Sequence, residues 1–338
     1  MKVVRLHAAG DLRLHEEPVP VPSPGEALVR VTAVGLCGSD LHWFGEAGIG
    51  DARLARPLVL GHEFAGVIES GERRGERVAV DPAVPCERCE FCREGNPNLC
   101  IALRFAGHDT DDGALQAYRA WPLRCCHALP DSLTNADGAL LEPLGVALHA
   151  VDLGKVKPGM TIGVFGCGPI GLLVLQAARA AGAAHLIATD KLVHRLNAAH
   201  SCGATTVFQA EGGQEAAAVW AATNKRGVDV AFECAGENEA VETAIAASKP
   251  GGRVVLVGIP ADDRTAFAAS TARRKGLTIK LSRRMKHAYP RAIRLVQSGL
   301  MNLRALVTHR FPLEQTGEAF AVAQRREGLK VLVEAMSG

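Results

Sequence analysis

Four cysteines, Cys86, Cys89, Cys92 and Cys100, stand in one stretch that also holds Pro85, Gly95 and Pro97. Two gaps of two residues and one of seven let four thiolates converge on one ion. Zinc takes that number of sulfur ligands in closed, tetrahedral structural sites. A disulfide cluster is the competing reading. The start of the chain, Met1–His7, lacks the apolar run of a secretory signal. The thiols are therefore expected to stay reduced, and a structural zinc is preferred.

A second pattern belongs to nucleotide chemistry. Gly166-Cys167-Gly168-Pro169-Ile170-Gly171 follows a strand-like run, Thr161–Phe165, and opens a helical stretch from Ile170. The first glycine permits the tight turn, the second lets a pyrophosphate approach the backbone, and the third lets helix and strand pack. Free N–H groups at the helix start then face the phosphates. Asp190 ends the next strand-like run, His185–Thr189. A carboxylate there accepts hydrogen bonds from the adenosine ribose and repels a 2′-phosphate, so NAD is favoured over NADP. Lys191 and Arg195 are cationic neighbours that pull the other way. Cys234-Ala235-Gly236 and Val257-Gly258-Ile259 end later strands and should border the cofactor at the carboxyl edge of a sheet.

A third constellation could hold a second metal. It comprises Cys37-Gly38-Ser39-Asp40-Leu41-His42, Gly61-His62-Glu63 and Leu141-Glu142-Pro143-Leu144. A catalytic zinc needs about three protein ligands and one open position. Cys37 and His62 offer a thiolate and an imidazole, and Glu63 or Glu142 the carboxylate. Each residue alone reads more plainly as a buried thiol, a surface histidine or an ordinary acid. Ser39 and His42 are spaced for a hydroxyl-to-imidazole proton relay, against the plainer reading of a helix-capping serine and a surface histidine. Asp40 caps or orients the local turn.

These residues need a scaffold. To about Ala150 the chain is rich in Pro, Gly and short apolar runs, with strand chemistry at Ala27–Val34, Gly66–Glu69 and Arg77–Val80. That describes a β-rich domain with long functional loops. From Val151 the texture alternates. Strands are expected at Thr161–Phe165, His185–Thr189, Thr206–Phe208, Val228–Phe232, Arg253–Val257 and Leu277–Leu281. Helices are expected from Ile170, Leu192 and Asn238, and near Glu215–Ala222. The alternation implies a doubly wound parallel sheet. Beyond about Arg283 it stops, with helices over Pro290–Ser298 and Leu313–Arg326 and a last strand at Lys330–Val333.

Composition excludes other classes. The 338 residues suit two domains. With 38 basic against 36 acidic residues and 4% aromatics, nothing favours nucleic acid. No apolar run approaches a membrane span. Cys125, Cys126, Cys167, Cys202 and Cys234 lack ligand spacing and read as buried thiols.

Together the motifs resemble the zinc-dependent medium-chain alcohol dehydrogenases, and among them the sorbitol (polyol) dehydrogenase branch. The resemblance covers nearly the whole chain. It implies an α/β protein with a GroES-like β-rich catalytic domain over 1–150, carrying a zinc lobe at about 85–101. A Rossmann NAD-binding domain over 151–283 and a return to the catalytic domain over 284–338 would follow. It implies one catalytic and one structural zinc, with Cys37, His62 and Glu63 as catalytic ligands and Glu142 beside the zinc-bound water. In many alcohol dehydrogenases a second cysteine takes the third place, where this chain has Glu142. Which of Glu63 and Glu142 binds directly stays open. Ser39 and His42 match the family's proton relay, and Arg283 best matches an arginine that contacts substrate.

The implied reaction is reversible oxidation of a secondary alcohol in a small polyol or sugar derivative, with NAD as hydride acceptor. Ser282-Arg283-Arg284-Met285-Lys286-His287 is more basic than is usual in the branch. That leaves room for a sugar acid or phosphate, as in an L-idonate-type enzyme, or for a vicinal-diol dehydrogenase. A non-catalytic nucleotide-binding paralogue is the competitor from another class, and the retained ligand set argues against it. The resemblance also implies a cytoplasmic homotetramer or homodimer, without nucleic-acid or membrane partners.

Overall fold

The structure, a computed structural model, describes residues 1–108 and 111–335. It divides into two compact units. One is Met1–Glu142 together with the chain from Tyr289 on, and the other is Pro143–Ala288.

The first unit is built on a sheet ordered Cys126–Ala128, Arg77–Val80, Glu63–Ile68, Glu26–Gly35, Lys330–Glu334, Val307–Pro312, with Tyr118–Pro122 also pairing to Glu26–Gly35. The strand Glu26–Gly35 alternates between buried and half-buried positions, then becomes wholly buried from Val31 on. It thus enters the core where Val34, Phe64, Leu115, Trp121 and Phe320 gather. The register places Gly35 opposite Glu63 on one side and Leu332 on the other. Three stretches far apart in sequence therefore end side by side: the approach to Cys37, the His62-Glu63 pair and the last strand.

The run expected at Gly66–Glu69 forms as Glu63–Ile68. Pairing to Gly35 draws Glu63 into the ladder despite its low strand propensity. Sequence reading did not find the hairpin of Lys2–Ala8 and Asp11–Glu16. It also missed the helix Asn135–Gly154, which contains Pro143. Pro143 has no N–H for the Ala139 carbonyl. Gly138 and Gly145 weaken the helix further, yet packing requires them. A Cβ at Gly138 would lie 2.6 Å from Leu129 Cδ1, and one at Gly145 would strike Met285 Sδ. Burial of nearly every residue from Ala136 to Val151 overrides propensity. Thr134 and Asp137 close the first turn, each side chain accepting from the other's backbone N–H at 3.1 and 2.8 Å.

The second unit is a six-stranded parallel sheet in the order Thr206–Gln209, His185–Asp190, Thr161–Phe165, Val228–Glu233, Ser248–Leu256, Thr278–Leu281. Numbered along the chain this is 3-2-1-4-5-6, the doubly wound order whose direction reverses beside the first strand. Val228–Glu233 is buried throughout because helices cover both faces. The edge strand Thr278–Leu281 is largely exposed. No helix among the described residues is long and apolar enough to cross a membrane.

Candidate metal centres and cofactor loop

The sulfurs of Cys86, Cys89, Cys92 and Cys100 lie within 4.8 Å of one another, and all four thiols are free. A tetrahedral zinc with sulfurs at about 2.3 Å needs them about 3.8 Å apart, so the group fits that ion. Short turns hold it. Glu87 takes the left-handed conformation, and the backbone N–H groups of Cys86 and Cys89 donate to Cys100 Sγ and Cys86 Sγ at 3.2 and 3.4 Å. Such donors favour the thiolate. Those of Arg88 and Cys89 bring the Cys86 thiol down to about 6. Desolvation and the neighbouring sulfurs push Cys92 up to about 12. Crowded thiols yield successive protons less readily, and a divalent cation offsets that cost.

The second group is Cys37, His62 and Glu63, whose ligand atoms also lie within 4.8 Å of one another. Cys37 is the N-cap of the helix Gly38–Glu46. Asp40, three residues on, accepts from the Cys37 backbone N–H at 2.9 Å with one oxygen and from Gly61 N–H at 3.1 Å with the other. The second oxygen also lies 3.4 Å from His62 Nδ1. One buried carboxylate therefore fixes both ligand segments and engages Nδ1, leaving Nε2 for a metal. Burial opposes charge on His62, but Asp40 overrides it and raises the imidazole well above its ordinary range. The cap is thus Asp40 acting with Cys37, and Ser39 lies within the first turn.

Glu63 is fully buried, and Lys330, itself 3% exposed, donates to its two oxygens at 2.8 and 2.7 Å. The same ammonium donates to the Leu36 carbonyl at 2.9 Å, one residue before Cys37. Gly35 makes this approach feasible, because a Cβ there would overlap Glu63 Oε2. Sequence reading missed Lys330. Its signal was a lone lysine in the apolar run Leu329–Val333. Glu142 is buried but stands outside the three-residue group. Burial pushes its carboxyl up to about 7, with His62 pulling down and Glu63 pushing further up.

Ser39 and His42 lie three positions apart on the helix Gly38–Glu46, both half-buried, and His42 Nδ1 is 3.4 Å from Glu46 Oε1. Arg283 follows the strand Thr278–Leu281 in the second unit and is exposed.

The glycine loop meets its three requirements separately. Gly166 has φ 100°, and a Cβ there would sit 2.7 Å from Ala235 N. Gly168 caps the helix Pro169–Ala180 without a side-chain bond, and only Arg195 Nη1, at 3.7 Å, stands near its missing Cβ. A Cβ at Gly171 would overlap the Gly166 carbonyl. Open space over uncapped N–H groups fits a pyrophosphate. Asp190 accepts from Cys167 N–H at 2.7 Å and Leu192 N–H at 2.9 Å, with Arg195 Nη1 at 3.9 Å. Each of its oxygens keeps a lone pair for a ribose hydroxyl.

The Cys234–Gly236 and Val257–Ile259 turns abut, since a Cβ at Gly258 would lie 2.6 Å from Gly236 Cα. Buried Glu233, which sequence reading missed, accepts from Ala235 and Gly236 N–H at 2.6 and 2.7 Å. Lys191 Nζ is 2.5 Å from Glu237 Oε2 and 3.2 Å from Glu239 Oε2.

Fold and site thus define an oxidoreductase with a parallel-sheet nucleotide unit and a thiolate-bearing β unit. The alcohol dehydrogenase GroES-like domain matches residues 23–131 and the zinc-binding dehydrogenase domain residues 169–298. The chain is 37% identical to sorbitol dehydrogenase of Bacillus subtilis (strain 168), over 98% of this chain and 97% of that one. It is 40% identical to sorbitol dehydrogenase of Gallus gallus, over 98% and 95%. The solved L-idonate 5-dehydrogenase of Escherichia coli superposes with TM-score 0.90 at 27% identity, covering 98% of this chain and 97% of that one. The chain belongs to the zinc-dependent medium-chain alcohol dehydrogenase family, in its sorbitol dehydrogenase-like branch. It is an NAD- and zinc-dependent dehydrogenase of the alcohol and polyol class.

Proposed function

We propose that the enzyme oxidises one secondary hydroxyl of a polyol or sugar derivative to the ketone, reversibly, at the group Cys37–His62–Glu63. That group carries the reading, because three donors leave a coordination position for the substrate oxygen. When bound there, zinc supplies a Lewis acid for the alcohol oxygen, and NAD at the glycine loop supplies the hydride acceptor. Asp40 orients His62, and Lys330 holds the Glu63 carboxylate in place. Glu142, a buried carboxyl that desolvation raises, stands beside the metal-bound water as a candidate to take part in proton transfer. Ser39 and His42 pass the alcohol proton outward along one helix face. Gly166, Gly168, Pro169, Ile170 and Gly171 receive the pyrophosphate, Asp190 with Arg195 the ribose, and the turns at Cys234 and at Val257, Gly258 and Ile259 line the cofactor's path.

NADH formation across sorbitol, xylitol, L-arabinitol, 2,3-butanediol and L-idonate, with and without a zinc chelator, tests this. Chelator-sensitive turnover of a neutral polyol supports it. No turnover of any substrate by protein holding two zinc ions per chain would sink the substrate class. A second reading, a sugar acid, is favoured by the exposed Arg283, Lys286 and His287. Under that reading Arg283→Ala raises KM for L-idonate far more than for sorbitol.

The proposal includes a homotetramer or homodimer. The strand Thr278–Leu281 pairs on one side only among the described residues, and Leu281 is 74% exposed. A monomeric mass by light scattering would refute it. The ten free thiols fit a reducing compartment, and the cytoplasm is the proposed location.

A further inference from the structure

Lys191 directly follows the ribose-reading Asp190, where a lysine is a natural partner for the 2′-phosphate that distinguishes NADP from NAD. The sequence therefore carries opposed instructions, Asp190 against phosphate and Lys191 with Arg195 for it. The structure shows where the lysine's charge goes. Its ammonium lies 2.5 Å from Glu237 Oε2 and 3.2 Å from Glu239 Oε2. Glu237 is the N-cap of the helix Asn238–Ala247 and Glu239 lies in its first turn. Both therefore follow the Cys234–Gly236 turn at the carboxyl edge of the same sheet. Asp190, Glu237 and Glu239 against Lys191 and Arg195 gives three negative and two positive formal charges, a net −1. Without the two glutamates the same neighbourhood is +1. A 2′-phosphate brings about −1.5 to −2 more.

We propose that Glu237 and Glu239 determine coenzyme specificity, by holding Lys191 away from a 2′-phosphate and keeping the ribose end of the site net negative. This rests on the reading that Asp190 marks the ribose. Side-chain exposures of 51% for Lys191, 34% for Glu237 and 44% for Glu239 make each contact individually weak. The effect is therefore one of net local charge, and salt should screen it.

Zinc-loaded wild type and the E237Q/E239Q variant are titrated with NADH and with NADPH, following nicotinamide fluorescence. The expected result is a shift of about tenfold in the NADPH-to-NADH affinity ratio toward NADPH at low salt, shrinking toward the wild-type ratio at about 0.5 M salt. Adding K191A to the double variant brings the same count to 0, between the wild type and the double variant, and should cut the shift to about a third of its size. An unmoved ratio in a variant that still binds NADH overturns the proposal alone, as does a shift that K191A leaves undiminished. Failure of the wild type to bind NADH would remove the cofactor reading and the proposal with it.

Discussion

The two candidate metal groups of the first unit are built on opposite plans. The lobe of Cys86, Cys89, Cys92 and Cys100 draws its ligands from one short stretch, and its own backbone N–H groups support the sulfurs. The group of Cys37, His62 and Glu63 is held by residues from elsewhere. Asp40 ties Cys37 to His62, and Lys330, 294 residues beyond Leu36, ties Glu63 to the Cys37 segment. Four thiolates close a site, and a local loop can supply them. Three mixed donors leave one position free, so the surrounding fold has to supply the rigidity that a fourth ligand would give. Breaking each group should therefore have different consequences.

The largest effect is expected at the open group. Cys37→Ser removes its only thiolate. Turnover should fall by about 10³-fold or more, since Lewis-acid catalysis supplies several kcal/mol. Metal analysis should show the lobe's ion retained, and NADH should still bind. Activity near the wild-type level would place the chemistry elsewhere.

Metal removal sharpens the same contrast. A mild chelator should abolish turnover before it unfolds the protein, because the open group has fewer thiolates and exchanges its ion more readily. Cys92→Ser should do the reverse, lowering the melting temperature of the lobe-bearing unit and leaving an ion at Cys37 and His62. If the chelator empties the lobe first, the division into open and closed sites is wrong.

Next in size is Lys330→Met. In the metal-free protein it leaves the fully buried Glu63 carboxylate without a cation, and breaking such a pair costs about 3–5 kcal/mol. Denaturant unfolding should show that loss, and adding Glu63→Gln should recover much of it. Equal stability of the single and double variants would mean that the pair does not constrain the ligand segment.

This pair also marks where sequence reading stops. The glycine loop, the thiolate lobe and the six parallel strands are legible because each is local: a spacing, a turn or an apolar run. His62 and Glu63 were legible as candidate ligands, and the structure brings them together with Cys37, but their supports were not legible. Lys330 reaches Glu63 only because the last strand pairs with Val34 and Gly35, a long-range pairing with no local signature. The helix Asn135–Gly154 was hidden for a related reason. Gly138, Pro143 and Gly145 argue locally against a helix, and packing that the sequence does not display requires the two glycines. Asp40 was only half legible. Its spacing to Cys37 pointed to a local turn, while its bond to His62 depends on the fold.

The smallest effects come from two glycines that differ in the same way as the two sites. At Gly35 the backbone is ordinary, and the constraint is space: an added Cβ would overlap Glu63 Oε2 and lie 3.2 Å from Glu63 Cβ. At Gly95 in the lobe nothing stands within 4 Å of the missing Cβ, and the constraint is the backbone, with φ 76°. Gly35→Ala should cost about 1–3 kcal/mol by overpacking and should weaken metal binding at Cys37 and His62, because the displaced part is a ligand carboxylate. Gly95→Ala should cost about 1–2 kcal/mol through left-handed strain, confined to the lobe. Cobalt substitution separates the two, since thiolate-rich and mixed-ligand sites absorb differently. A Gly35→Ala spectrum altered at the lobe, or a Gly95→Ala spectrum altered at the open group, would show that the sites are coupled. Separate changes would show that the lobe is built by its own loop, and that the open group depends on what the last strand brings across Gly35.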